Sequence, residues 1–175
     1  IDYRRLKFEG ERVFAFGEPA ETGPVMDRLW LHLTGGMEGE PAELHSLGRT
    51  IAVPRAAMGA ARFPFAALCE KPLGARDYLR LAHAYDTVMI EGVPQFTRAN
   101  SDPAKRFILL VDTLYDRGIK FAASFAVPLD ALGADDRTAA DFARTRSRLS
   151  EMQSAEYLGA PHKQEATTAE VSPAG

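Results

Sequence analysis

The stretch from Asp102 to Gly118 constrains the fold more than any other part of the sequence. Asp102 can cap a helix, Pro103 suits its first turn, and Gly118 can supply a left-handed exit. Between them Phe107, Leu110, Val111, Leu114 and Tyr115 recur at spacings of three and four, which gathers them on one helical face. Thr87-Val-Met-Ile90, ended by Gly92-Val93-Pro94, reads as a buried strand before this helix, and Ile119–Ala126 reads as a strand after it. Thr50–Val53 and Ala61–Phe63 are two further short strands, separated by Pro54 to Gly59. Phe65–Cys69 is expected as a helical turn and Gly74 to Tyr85 as a helix. Alternating elements after residue 49 predict an α/β fold, with a small sheet and flanking helices.

The rest of the chain is less regular. Tyr3–Phe8 and Arg12–Phe16 flank Glu9-Gly10-Glu11, as a β-hairpin or two adjacent short strands would. Val25, Met26, Leu29, Trp30, Leu31 and Leu33 predict a short amphipathic helix ending at Gly35-Gly36. Met37 to Glu43 is polar and expected as a loop, a possible joint between subdomains. Pro128–Leu132 predicts a turn of helix. Thr138–Leu158, with Phe142, Leu149 and Met152 on one side, predicts one long final helix. From Gly159 the chain is too poor in large apolar residues to fold, and a disordered tail is expected. Three regions follow: residues 1–48, 49–158 and 159–175.

At 175 residues the chain suits one domain or part of a larger one. A formal charge of −3 argues against a nucleic-acid-binding module. One cysteine, Cys69, excludes an internal disulfide and a multi-cysteine zinc site, and its setting in Phe65-Ala-Ala-Leu-Cys69 predicts a buried, reduced thiol. No apolar run approaches the roughly 18 residues of a membrane helix. The chain begins at Ile1 and enters strand-like sequence directly, which reads as a fragment.

Phosphate chemistry can be tested residue by residue. Phe107-Ile-Leu-Leu-Val-Asp112 resembles a Walker B strand, but the helix signals around it place Asp112 on a polar helical side with Lys105 and Asp116. A Walker A loop needs Gly-x-x-x-x-Gly-Lys-Ser/Thr, because its backbone amides cradle phosphate and its lysine neutralises it. None of Lys7, Lys71, Lys105, Lys120 or Lys163 follows a glycine or precedes Ser or Thr. As written, the sequence should neither bind ATP tightly nor hydrolyse it. His32, His45, His83 and His162 lack metal-ligand spacing. Within Phe142–Gln153, Arg144 and Arg148 lie four apart on one face, while Arg146 points nearer Leu149. That pair is either a solvated basic face or a clamp for phosphate oxygens.

Three blocks carry a resemblance: Phe65-Ala-Ala-Leu-Cys-Glu-Lys-Pro-Leu-Gly-Ala-Arg-Asp-Tyr78, Arg106-Phe-Ile-Leu-Leu-Val-Asp-Thr-Leu-Tyr-Asp116, and Arg144-Thr-Arg-Ser-Arg-Leu-Ser-Glu-Met-Gln-Ser154 with Glu156-Tyr-Leu158. With Asp2-Tyr3-Arg4 before them, they resemble, in order, the C-terminal half of the ZapE family. These are bacterial P-loop, AAA+-like cell-division ATPases related to a mitochondrial Afg-type ATPase. The resemblance implies ATP and magnesium held by a missing N-terminal half that carries both Walker motifs. It also implies homo-oligomers, an FtsZ-like division protein as partner, and a cytoplasmic location, with peripheral association at the inner face of the membrane. Arg144 and Arg148 match arginines of the family's final block, and an AAA+ arginine late in the chain can reach the terminal phosphate. Gly133, where an aromatic is common, and Phe125, bulkier than expected, depart from the pattern. The rival expectation is a stand-alone interaction module without catalysis.

Overall fold

The computed structural model describes residues 12–161. Six strands form one mixed sheet in the order β1-β6-β5-β4-β3-β2. They are β1 (Phe14–Phe16), β2 (Glu40–Ser46), β3 (Arg49–Ala57), β4 (Ala60–Pro64), β5 (Thr87–Val93) and β6 (Lys120–Phe125). Strands β1, β6, β5 and β4 run parallel; β3 and β2 join antiparallel beyond β4. Every residue of β6 is buried, as expected for a parallel strand covered on both faces.

Register shows which helices cover which face. Arg62, Met89 and Ala122 are aligned across β4, β5 and β6, and their neighbours Phe63, Ile90 and Ala123 point the other way. Arg62 reaches Asp27 of α1 (Pro19–Leu33), so α1 lies on the Arg62 face. Phe121 sits on the opposite face and meets Phe107 of α4 (Ser101–Asp116) at 6.4 Å between ring centres. Around α4 pack α2 (Phe65–Cys69), α3 (Ala75–Ala84) and α6 (Ala143–Met152). Two short helices complete the set, α5 (Asp136–Asp141) and α7 (Ala155–Gly159). The Phe107, Leu110, Val111 and Leu114 side chains are wholly buried, as their spacing predicts.

Five expectations need correction. Helix α1 begins at Pro19, six residues earlier than its apolar spacing suggested, because Pro19 suits a first turn and Pro24 is tolerated inside it. The segment 37–43 is not all loop: from Glu40 it is strand β2, pairing Leu44 with Ile51 across a hairpin. Polar residues there face solvent on an edge strand, and alternation is hidden by the irregularity between Glu40 and Ala42. Strand β3 runs through Pro54 to Ala57, and only Met58-Gly59 turn the chain into β4. The single final helix is three. The backbone bends at Phe142, whose ring stacks on Phe96 at 4.8 Å, and again where the Ser154 hydroxyl accepts from the Tyr157 amide. At α4 the N-cap is Asn100, not Asp102, which falls in the first turn; Gly118 does take the left-handed exit, at φ +68°.

The first β1 partner is also settled. Strand β1 pairs with β6, and the expected strand Tyr3–Phe8 lies outside the described residues, as does most of the tail from 159 onward. Both departures from the family pattern have a local reason. A Cβ on Gly133 would stand 2.5 Å from the Ala139 amide nitrogen, leaving no room for any side chain. Phe125 is buried between the rings of Phe14 and Phe16, at 5.2 and 5.5 Å.

Candidate functional site: the arginine helix and a cation-lined cavity

The three arginines of α6 have three different environments. Arg148 donates through Nη1 to Asp112 of α4, and its guanidinium lies 4.9 Å above the Tyr115 ring. The Tyr115 hydroxyl donates in turn to Glu151 at 2.9 Å, and that bond, followed by burial, raises the Tyr115 pKa. Asp112 lies on a helix, as the sequence predicted, and there it docks α6 onto α4. Arg146 is half-buried and its Nε is buried without a hydrogen-bond partner, beside a shallow depression formed with Leu129, Asp130 and Ser150. Arg144 is exposed and makes no ion pair among the described residues. The structure thus leaves Arg144 and Arg148 a turn apart on one helix, and neither lines the cavities described.

Two other cations are locked inside the fold. Arg62 donates to Glu91 and Asp27, both at 2.6 Å. Burial disfavours its charge, and the two carboxylates more than offset that, so its pKa is raised. Lys120, 1% exposed, donates to the Tyr157 carbonyl at 2.6 Å and to the Ala160 carbonyl, at the C-terminal end of α7. An ammonium there answers carbonyls that helical bonding leaves over. Tyr157 returns the contact through its hydroxyl, which donates to the Ile119 carbonyl at 2.8 Å.

The largest cavity among those described is lined differently. It has a volume of about 680 Å³ and is lined by Arg98, Lys105 and Arg137 together with Ala104, Ile108 and Phe142. Ser101, Ala104, Lys105 and Ile108 fall on one face of α4, while Arg137, Thr138, Asp141 and Phe142 come from α5 and its end. Asp135 fixes α5 by accepting from the Thr138 amide at 2.8 Å and from its hydroxyl at 2.9 Å. Those bonds hold its carboxyl below the usual range. The sequence signalled Lys105 as part of a polar helical side but gave no hint that Arg98 and Arg137 stand with it, because a non-local approach of two helices assembles them.

Cys69 is fully buried and its thiol pKa is pushed up to about 12, chiefly by burial. Such a thiol stays protonated and unreactive. Among the described residues no three His, Cys, Asp or Glu side chains are placed to hold a metal ion, and no helix is long and apolar enough to cross a membrane. The sequence holds no glycine-rich loop with its lysine, so the described residues do not form a Walker-type ATP cradle.

Residues 1–161 match the model of the AFG1-like ATPase family. The chain is 36% identical over 162 residues to the cell division protein ZapE of Escherichia coli K12, covering 93% of this chain and 43% of that protein. It is 37% identical over 112 residues to lactation elevated protein 1 homolog B of Danio rerio, covering 64% of this chain and 22% of the relative. An uncharacterised protein of Schizosaccharomyces pombe is 36% identical over 136 residues, with 75% and 29% covered. The chain thus spans less than half the length of these curated relatives. No solved structure matches it. By the match across 161 residues, the chain belongs to the AFG1-like ATPase family.

Proposed function

We propose that this chain is the C-terminal portion of an ATPase that converts ATP to ADP and phosphate with magnesium and uses the energy to remodel a protein partner in bacterial cell division. The observation that carries the reading is the family match along residues 1–161, joined by the similarity to a protein named for cell division. In this reading ATP and magnesium are held by sequence other than these residues. The chain contributes the α/β body, oligomer contacts and the arginine helix. The partner is a division protein of the FtsZ type, the assembly is a homo-oligomer, and the protein works in the cytoplasm, with peripheral attachment to the inner membrane face. Nucleic acid has no role in it, consistent with the net charge of −3.

Arg144 and Arg148 are the phosphate-proximal residues of this reading. Arg144 is exposed on α6 and can swing its fork of donors toward a phosphate brought by another part of the assembly. Arg148, tied to Asp112, holds the helix that presents it. The test is steady-state ATP hydrolysis by the whole protein with each arginine changed to alanine. Arg144→Ala should lower kcat by roughly tenfold or more with the melting temperature unchanged, and Arg148→Ala should lower both. Wild-type turnover in both variants would remove the pair from the site.

A further inference from the structure

We infer that the cavity between the start of α4 and α5 binds an organic phosphate, meaning a phosphoryl group on a body of up to nucleoside size. The inference stands on the cavity alone and requires no hydrolysis. Its volume, about 680 Å³, falls within the range of small-molecule sites. Three cations line it, Arg98, Lys105 and Arg137, against one acid, Asp141. The lining therefore carries two net positive charges (three minus one), matching the roughly −1.5 to −2 of a phosphomonoester near pH 7.

These cations differ from the others in the fold. Arg62 and Arg148 have carboxylates; none of Arg98, Lys105 and Arg137 makes an ion pair of that kind among the described residues. Asp135, next to the lining, feels the charge of Arg98 while one of its oxygens accepts from Thr138; Asp102, Asp135 and Asp136 are not among the lining residues. The cavity lies beside the first two turns of the sixteen-residue helix α4, which a 3-10 turn, Arg98–Asn100, precedes without a break.

The rest of the lining selects for more than a bare anion. Ala104 and Ile108 are apolar parts of the lining against which a ring or hydrocarbon can lie, and Ser101 offers a hydroxyl. Asp141 is an acceptor that repels a free anion but takes a hydrogen bond from a ligand hydroxyl or N–H. A phosphorylated body with donors uses all of these groups; inorganic phosphate uses only the cations.

Calorimetric titration of the chain with AMP, and separately with inorganic phosphate and hexaglutamate, tests this. AMP should bind saturably, at least tenfold more tightly than inorganic phosphate, and more weakly as salt rises. The double variant Lys105→Ala/Arg137→Ala should lose AMP affinity by tenfold or more while keeping its circular dichroism and melting temperature. Asp141→Asn should narrow the gap between AMP and inorganic phosphate. No AMP binding, equal affinity for inorganic phosphate, or unchanged affinity in the double variant each overturns the inference. Tight hexaglutamate binding without AMP binding also overturns it, and makes the surface one for an acidic protein.

Discussion

The cations of the sheet and the cations of the cavity are the same residue types treated in opposite ways. Arg62 and Lys120, 8% and 1% exposed, are each answered by two oxygens, because a buried charge without partners would cost several kcal/mol. Arg98, Lys105 and Arg137 line the cavity, exposed and without an ion pair among the described residues. The first group holds elements together: α1 to the sheet, and α7 to the start of β6. The second costs the fold little and is available to an incoming anion.

The contrast breaks most readily at Lys120. Lys120→Ala leaves two carbonyls at the end of α7 without their ammonium and opens space in a packed region. It should cost about 3 kcal/mol, read as a lower denaturant midpoint with early loss of α7 protection in hydrogen exchange. If the cost is below about 0.5 kcal/mol, the ammonium is not holding α7.

A neutral buried group sharpens the comparison next. Burial pushes the Cys69 thiol up from its ordinary value of 9.0 to about 12. Its contribution is complete below pH 9 and is lost as pH climbs toward 12, because only the unfolded chain then gives up the proton. By pH 10.5 the loss should reach roughly 2 kcal/mol, measured as the urea midpoint of the native protein against Cys69→Ala. Parallel pH profiles for the two would mean that the thiol is not shielded.

Arg148 stands between the extremes. Its side chain is 17% exposed and Asp112 is 27% exposed, so solvent screens their pairing. Arg148→Ala should cost about 1 kcal/mol, and Asp112→Ala about the same, with a double variant costing less than the sum. Additive losses would show that the two side chains act separately. Smallest of all, alanine at Arg98 or Arg137 should change stability by no more than about 0.5 kcal/mol; a larger loss would make the cavity edge structural.

What the sequence disclosed follows the same division. Local patterns were legible: the apolar face of α4, the buried thiol in α2, and the apolar run Val88-Met89-Ile90 of β5 all stand where spacing put them. Edge strand β2 was hidden because its outward residues are polar and its inward ones few. The break at Phe142 was hidden because its cause, stacking on Phe96, lies 46 positions away in the sequence. The arginine helix was legible as a run of charge, but not that Arg148 is spoken for by Asp112. The cavity could not be read at all, since Arg98 and Arg137 meet only after α4 and α5 have packed.

Phosphate transfer needs a glycine-rich cradle and its lysine, and none of the five lysines here has that setting. The direct measurement is magnesium-dependent phosphate release from ATP by this 175-residue chain on its own. It should stay at the background of the assay, whatever binds in the α4–α5 cavity. Turnover on the order of 1 s⁻¹, within the ordinary enzymatic range, would contradict the assignment of ATP chemistry to other parts of the protein.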